Sequence, residues 1–219
     1  AGLGATTIRT PVSRTVIDVN RDPSGASLYP GQTTTGLCPT ETFDGEPLYR
    51  PGEQPGSDEV VERRRAYFEP FHATLAGEIG RLRRHHGHVV LYEAHSIRSR
   101  IPRLFQGELP NFNLGVNGGA SCDAALTSAV ERACDAHPRF SRVTDGRFKG
   151  GWTTRHYGQP QMGVHAIQME LACRGYMDDP GAPPAEGAWP APYDLGRAGH
   201  MRTALIDVLQ ACLAFAEAA

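Results

Sequence analysis

At 219 residues, 40% of them hydrophobic, the chain is long enough to bury the core of one α/β domain. Its formal charge of -2, from 22 Lys and Arg against 24 Asp and Glu, offers no footprint for nucleic acid. No apolar run approaches the roughly 18 residues of a membrane helix, and no signal peptide is expected. Five cysteines, widely spaced and never in a C-x-x-C pair, argue against a disulfide framework or a structural zinc site, and for reduced, mostly buried thiols in a cytoplasmic protein.

Strands are expected at residues 5–10 and 15–19, the second ending in Asn20 and Arg21. Residues 22–56 follow, rich in Pro, Gly and Thr and without periodicity. Runs of that length without regular structure are uncommon in compact domains unless functional or disordered. The turn sequence Tyr29-Pro30-Gly31-Gln32 and the anchors Leu28, Leu37, Phe43, Leu48 and Tyr49 point to an ordered active-site loop. A helix is expected from Ser57 as N-cap, with Phe68, Phe71, Leu75, Ile79 and Leu82 at spacings of three and four, a kink or break at Pro70, and Gly87 as its stop. Its clusters Arg63 to Arg65 and Arg81 to His86 suit a solvated face. Further strands are expected at residues 88–93, 112–116, 140–143 and 164–171. A second helix runs from Ser121 as N-cap to about His137, and a third from Asp194 to Glu217, after a proline-rich loop at 179–192. Strands alternating with helices predict an α/β sandwich around a largely parallel or mixed central sheet, built as a single domain over residues 1–219.

The chemistry-bearing residues fall at strand ends and in loops. Asn20 and Arg21 stand where a strand hands over to the long loop, and a planar fork beside an amide suits a carboxylate; a surface Arg and a turn-forming Asn are the ordinary alternative. The apolar strand from His88 delivers Glu93, His95 and Ser96 at its carboxyl end, where His95 is either a metal ligand or a structural histidine. Asp145 to Gly158 packs Arg147, Lys149, Arg155, His156 and Tyr157 among glycines, as an anion site or a basic hairpin. In the last strand, alternation puts Val164, Ala166, Gln168 and Glu170 on one face and His165, Ile167, Met169 and Leu171 on the other. Glu170, at the end of this apolar strand, is expected to have a raised pKa, as a general base needs, unless it pairs with an arginine. Together these suit metal-assisted hydrolysis of an amide beside an acidic amino acid. No G-x-S-x-G elbow, P-loop or G-x-G-x-x-G motif is present.

Several strings resemble the N-formylglutamate amidohydrolase family: Val16-Ile17-Asp18-Val19-Asn20-Arg21, residues 26–40 and 42–49, Glu93-Ala94-His95-Ser96-Ile97-Arg98, Gly146 to Gly151, Thr154-Arg155-His156-Tyr157-Gly158 and Gln168-Met169-Glu170-Leu171. They cover nearly the whole chain in order. The resemblance implies a zinc-carboxypeptidase-like fold, an α/β three-layer sandwich with a mixed central sheet, and hydrolysis of N-formyl-L-glutamate to formate and L-glutamate in histidine degradation. It also implies a small-molecule N-acyl amino acid as partner. By motif, His95 resembles the last zinc ligand and Glu170 the catalytic base. Arg14, Asn20 and Arg21 resemble the group holding a substrate carboxylate, Arg98 and Arg147 are candidates for the second carboxylate, and Arg155 or His156 would polarise the scissile carbonyl. Glu93 stands where many relatives have Asp. Family members also carry an N-terminal Pro-His-Ser-Gly motif that this chain lacks. The chain is therefore expected to begin mid-fold, with the other zinc ligands upstream of Ala1. Rival expectations are a deacylase of another N-acyl acidic amino acid and a non-catalytic binding protein.

Overall fold

The computed structural model describes residues 3–179 and 193–218, which fall into two compact units divided between Arg81 and Leu82. In the second unit four strands form one sheet in the order β1-β4-β2-β3: β1 Val89–Ile97, β2 Phe112–Gly115, β3 Arg142–Thr144 and β4 Val164–Ala172. β1 runs parallel to β4, β4 antiparallel to β2, and β2 parallel to β3, so the sheet is mixed, as the resemblance implies. β1 runs four residues past its expected end and β3 starts two residues late.

Period-two alternation separates the two faces of this sheet. Phe112 and Leu114 of β2 and Ile167 and Met169 of β4 point to one side. There they meet Leu126 and Val130 of helix α3 (Ala124–Asp135) and Met201, Ala204 and Val208 of helix α5 (Leu195–Ala218) to form the main core. Phe112 is fully buried and meets Phe140 edge to face, centroids 5.4 Å apart. The opposite side carries the short helix α4 (Trp152–Tyr157), giving the unit its three layers. The N-cap of α3 is Asp123, whose carboxylate accepts from Ala125 N, and not Ser121. Ser121 is captured instead by β4: its hydroxyl donates to Ala166 O at 2.8 Å and its carbonyl accepts from Ala166 N. Cys122, Cys134, Cys173 and Cys212 are buried and all five cysteines are unbridged; burial pushes the Cys134 and Cys212 thiols up to about 12, which keeps them unreactive.

One core-facing residue of β4 is polar. His165 is 3% exposed, and its Nδ1 accepts from the Asp123 N–H at 3.2 Å, so the neutral ring carries its proton on Nε2. That atom is buried without a hydrogen-bond partner among the described residues, and the ring stands edge-on to Phe215. Burial pushes the His165 pKa down and His88 adds to this, against the opposing pull of Asp123. A folded pKa below the unfolded value of about 6.5 means stability that is present above that value and lost as pH falls through it. The urea midpoint is therefore expected to drop between pH 7.5 and 5. His165→Gln, which can still accept from Asp123, should show a smaller drop; an equal drop would remove His165 as the cause.

The first unit contains the long loop and most of a long helical segment. α1 (Ser57–Arg63) passes through a π-helical turn (Arg64–Phe68) into α2 (Glu69–His86). Pro70 has no N–H to give, and the turn before it widens so that Glu69 N–H reaches Arg64 O, five residues back. This is the break expected at Pro70. The N-cap is Gly56 rather than Ser57, whose hydroxyl bonds Asp58 instead. Gly87, at φ 77°, closes α2 through its bond to Arg83 O.

The strands expected at residues 5–10 and 15–19 do not form. A turn closes there from Val16 N to Ser13 O. The Ser13 hydroxyl bonds Thr15 N, and Arg14 pairs with Asp18 one helical turn on. Local polar bonds thus outweigh the β-propensity of Val16, Ile17 and Val19. Ile17 is nonetheless buried, at 1% exposure. The loop at 22–56 contains the expected turn at Tyr29 to Gln32, with Gly31 at φ 79°, and a bridge between Glu41 and Pro47. The proline-rich loop beyond Asp179 lies outside the described residues up to Tyr193. No helix of the described residues is long and apolar enough to cross a membrane.

Candidate active site

The face of the sheet away from α3 and α5 is polar. Register pairing sets Glu93 of β1 beside Gln168 of β4, and Gln168 beside Gly115 of β2. One step along, His95 stands beside Glu170, and Glu170 beside Asn113. Paired residues share a face, so these six positions make two adjacent rows across three strands. Gln168, Glu170 and Asn113 are buried at 4%, 7% and 1% exposure.

The first row is roofed by Gly150 and α4. Gly151 N–H donates to Gln168 Oε1 at 2.7 Å, and the Thr154 hydroxyl donates to Glu93 Oε2 at 2.9 Å. Gly115 faces the Gly150 backbone so closely that a Cβ would lie 2.5 Å from Gly150 N. In the second row His95 Nε2 meets Glu93 Oε1 at 2.9 Å, so Nε2 is the ring nitrogen that donates to the carboxylate. Asn113 Nδ2 donates to both Pro110 O and Glu170 O, tying β2 to β4 at the candidate base.

Arg155 and His156 lie on α4. Arg155 Nε donates to Gly150 O at 2.9 Å; His156 is exposed and stacks on Trp152, centroids 4.1 Å apart and planes 13° apart. Arg147 donates from Nε to Leu104 O and lies over the Phe148 ring, and Arg98 follows the end of β1, half-buried.

The first unit holds the other predicted group. Arg14, Asn20 and Arg21 converge on Asp18, a residue sequence reasoning left out of the group. Arg14 bonds Asp18 Oδ2 at 2.7 Å, Asn20 N bonds Oδ1 at 3.0 Å, and Arg21 lies 3.5 Å from Oδ2. Burial pushes the Asp18 pKa up, but the Arg14 and Arg21 cations and the hydrogen bonds outweigh it and hold the carboxyl below its ordinary value. Arg21 also reaches the loop, donating to Thr35 O and Thr35 Oγ1 at 2.9 Å each. The Arg14 guanidinium lies 5.5 Å from the Phe43 ring centroid.

Zinc is implied by the resemblance, and the donor chemistry bears on it in part. A histidine whose far nitrogen bonds a carboxylate is the usual form of a metal-binding imidazole, and His95 with Glu93 has that form. Catalytic zinc takes three protein ligands, and among the described residues no three His, Cys, Asp or Glu side chains gather into such a group.

Comparison with known proteins agrees with the resemblance. The family described as N-formylglutamate amidohydrolase matches residues 1–177. The N-formylglutamate deformylase of Pseudomonas aeruginosa is 45% identical over 213 residues, 97% of this chain and 77% of that protein. That of Pseudomonas putida is 43% identical over the same share of this chain and 76% of its own. The solved N-formylglutamate amidohydrolase of Ralstonia eutropha JMP134 shares the fold, with a TM-score of 0.70 at 22% identity, over 91% of this chain and 73% of that one. This chain belongs to the N-formylglutamate amidohydrolase family.

Proposed function

We propose that the chain hydrolyses the formyl amide of N-formyl-L-glutamate to formate and L-glutamate, as a cytoplasmic, zinc-dependent step of histidine degradation. The observation that carries this reading is the pairing of His95 with Glu170 on one sheet face. It stands in a chain 45% identical over 97% of its length to a relative bearing the deformylase name.

Glu170 takes the proton of the attacking water and passes it to the departing nitrogen, the task of a buried carboxylate acting as base and then acid. Arg155 or His156, both on α4, polarises the formyl oxygen as negative charge builds there. Arg98 and Arg147, in the same unit as Glu170, orient a substrate carboxylate, so recognition rests on the glutamate moiety and not on the small formyl group. Zinc held with His95 as one of its ligands would supply a Lewis acid at the site.

The test is formate release from N-formyl-L-glutamate, compared with acetyl and succinyl derivatives and with metal content measured on the same preparation. A clear preference for a bulkier acyl group would overturn the formyl assignment, and protein that hydrolyses the substrate without bound metal would overturn the zinc dependence.

A further inference from the structure

We propose that Thr154 is a positioning residue for His95, acting through Glu93. A threonine hydroxyl in a helix ordinarily returns its proton to the carbonyl four residues back. Thr154 is the third residue of α4, so the carbonyl four residues back, Gly150 O, lies before the N-cap Gly151 and outside the helix, where it accepts from Arg155 Nε at 2.9 Å. The Thr154 hydroxyl turns outward from the helix and donates to Glu93 Oε2 at 2.9 Å. Thr154 is 0% exposed, so its own hydroxyl is out of reach of water.

Glu93 therefore has one oxygen on Thr154 and the other on His95 Nε2, at 2.9 Å each. A carboxylate held at both oxygens cannot swing, and the imidazole it accepts from is fixed in rotation and tautomer. The ring is then oriented by a three-group chain that starts on α4. Arg155 belongs to the same short helix and holds the Gly150 carbonyl that precedes it. Gly150 completes it: at φ 106° it adopts backbone that L side chains rarely take, and a Cβ there would meet Thr154 Cγ2 at 2.9 Å. One short helix thus orients both a candidate carbonyl-polarising group and, through Glu93, the imidazole of the second row. The catalytic meaning of this chain rests on the hydrolytic reading above, whereas the orientation of His95 does not.

The experiment compares Thr154→Val, which keeps the shape and loses the hydroxyl, with Thr154→Ser, which keeps the hydroxyl; Thr154→Ala replaces the valine variant should that one not fold. The primary readout is the side-chain ¹⁵N spectrum of His95 in the purified full-length protein at fixed pH, with formate release beside it. The expected result is a single tautomer with protonated Nε2 in the wild type and in Thr154→Ser. In Thr154→Val a mixture of tautomers is expected, with kcat lower by on the order of 10–100-fold and KM little changed. A wild-type His95 spectrum in Thr154→Val overturns the proposal. If the wild type releases no formate, the functional reading fails alone, and the nitrogen spectra still decide the role of Thr154.

Discussion

Glu170→Gln is expected to lower kcat for formate release by on the order of 10²–10⁴-fold, with KM near its wild-type value. The amide keeps the volume of the side chain in a position that is 7% exposed and flanked in register by His95 and Asn113. The fold should therefore tolerate it. What the variant lacks is a group able to take a proton from water and return it to nitrogen. Because the base acts only as the reaction proceeds, its loss should appear in kcat and leave substrate binding almost untouched. Steady-state kinetics alongside a melting curve separates this from unfolding. A Glu170→Gln enzyme that kept more than roughly a tenth of wild-type kcat would remove Glu170 from its role.

The largest effect on stability is expected from Gly115→Ala. The added methyl lands 2.5 Å from Gly150 N and 2.8 Å from Lys149 C, both main-chain atoms that cannot rotate away. The Lys149 to Gly151 segment is itself tied down, by Asn117 N to Lys149 O at 2.7 Å and by Gly151 N to Gln168 Oε1. Ordinary overpacking costs about 1–3 kcal/mol, and a backbone collision belongs at or above the top of that range. For a chain of this size that is roughly 6–12 °C in Tm. Activity should fall as well, because displacing Gly150 moves α4 off Glu93. Gly77→Ala is the control: Gly77 lies inside α2, and a methyl group added there would have nothing within 4 Å, so alanine should be neutral or slightly stabilising. A Gly115→Ala protein melting with the wild type would mean that the sheet and the Gly150 backbone are farther apart in solution.

Of the two long strands, β1 was legible as an apolar run and β4 because its residues alternate. In β4, Gln168 and Glu170 interrupt an apolar run at every second position, which announces a polar face before any register is known. The partners on that face were not legible. That Thr154 reaches Glu93, or that Asn113 lies beside Glu170, depends on how strands pair, and a single sequence carries no register between distant segments. Asn113 still left a trace, as the polar residue between Phe112 and Leu114. At the start of α3, Ser121 and Asp123 are both good caps, and the choice was made by the carbonyl of Ala166 on a strand more than forty positions later. The opposite error occurred at residues 15–19, where Val16, Ile17 and Val19 read as strand while Ser13, Arg14 and Asp18 closed the chain into a turn. The grouping of Asn20 with Arg21 drew attention to the correct place, but the carboxylate that organises them, Asp18, was hidden within the supposed strand.

The π-helical turn at Arg64–Phe68 amounts to one extra residue inserted between two stretches of ordinary helix. Each residue of an α-helix advances the side chains by about 100°, so the insertion sets the angular phase of α1 against that of α2. In the present phase Arg63 donates to Val16 O and to Tyr49 OH, both at 2.9 Å, while Phe68, His72, Leu75 and Ile79 face inward from the following turns. Deleting any one residue from this turn would leave every side chain of α2 where it is and rotate α1 by more than a quarter of a revolution. The first helix thus behaves as a dial whose setting is recorded in a count of residues, and the loop anchored by Arg63 is read at only one position of that dial.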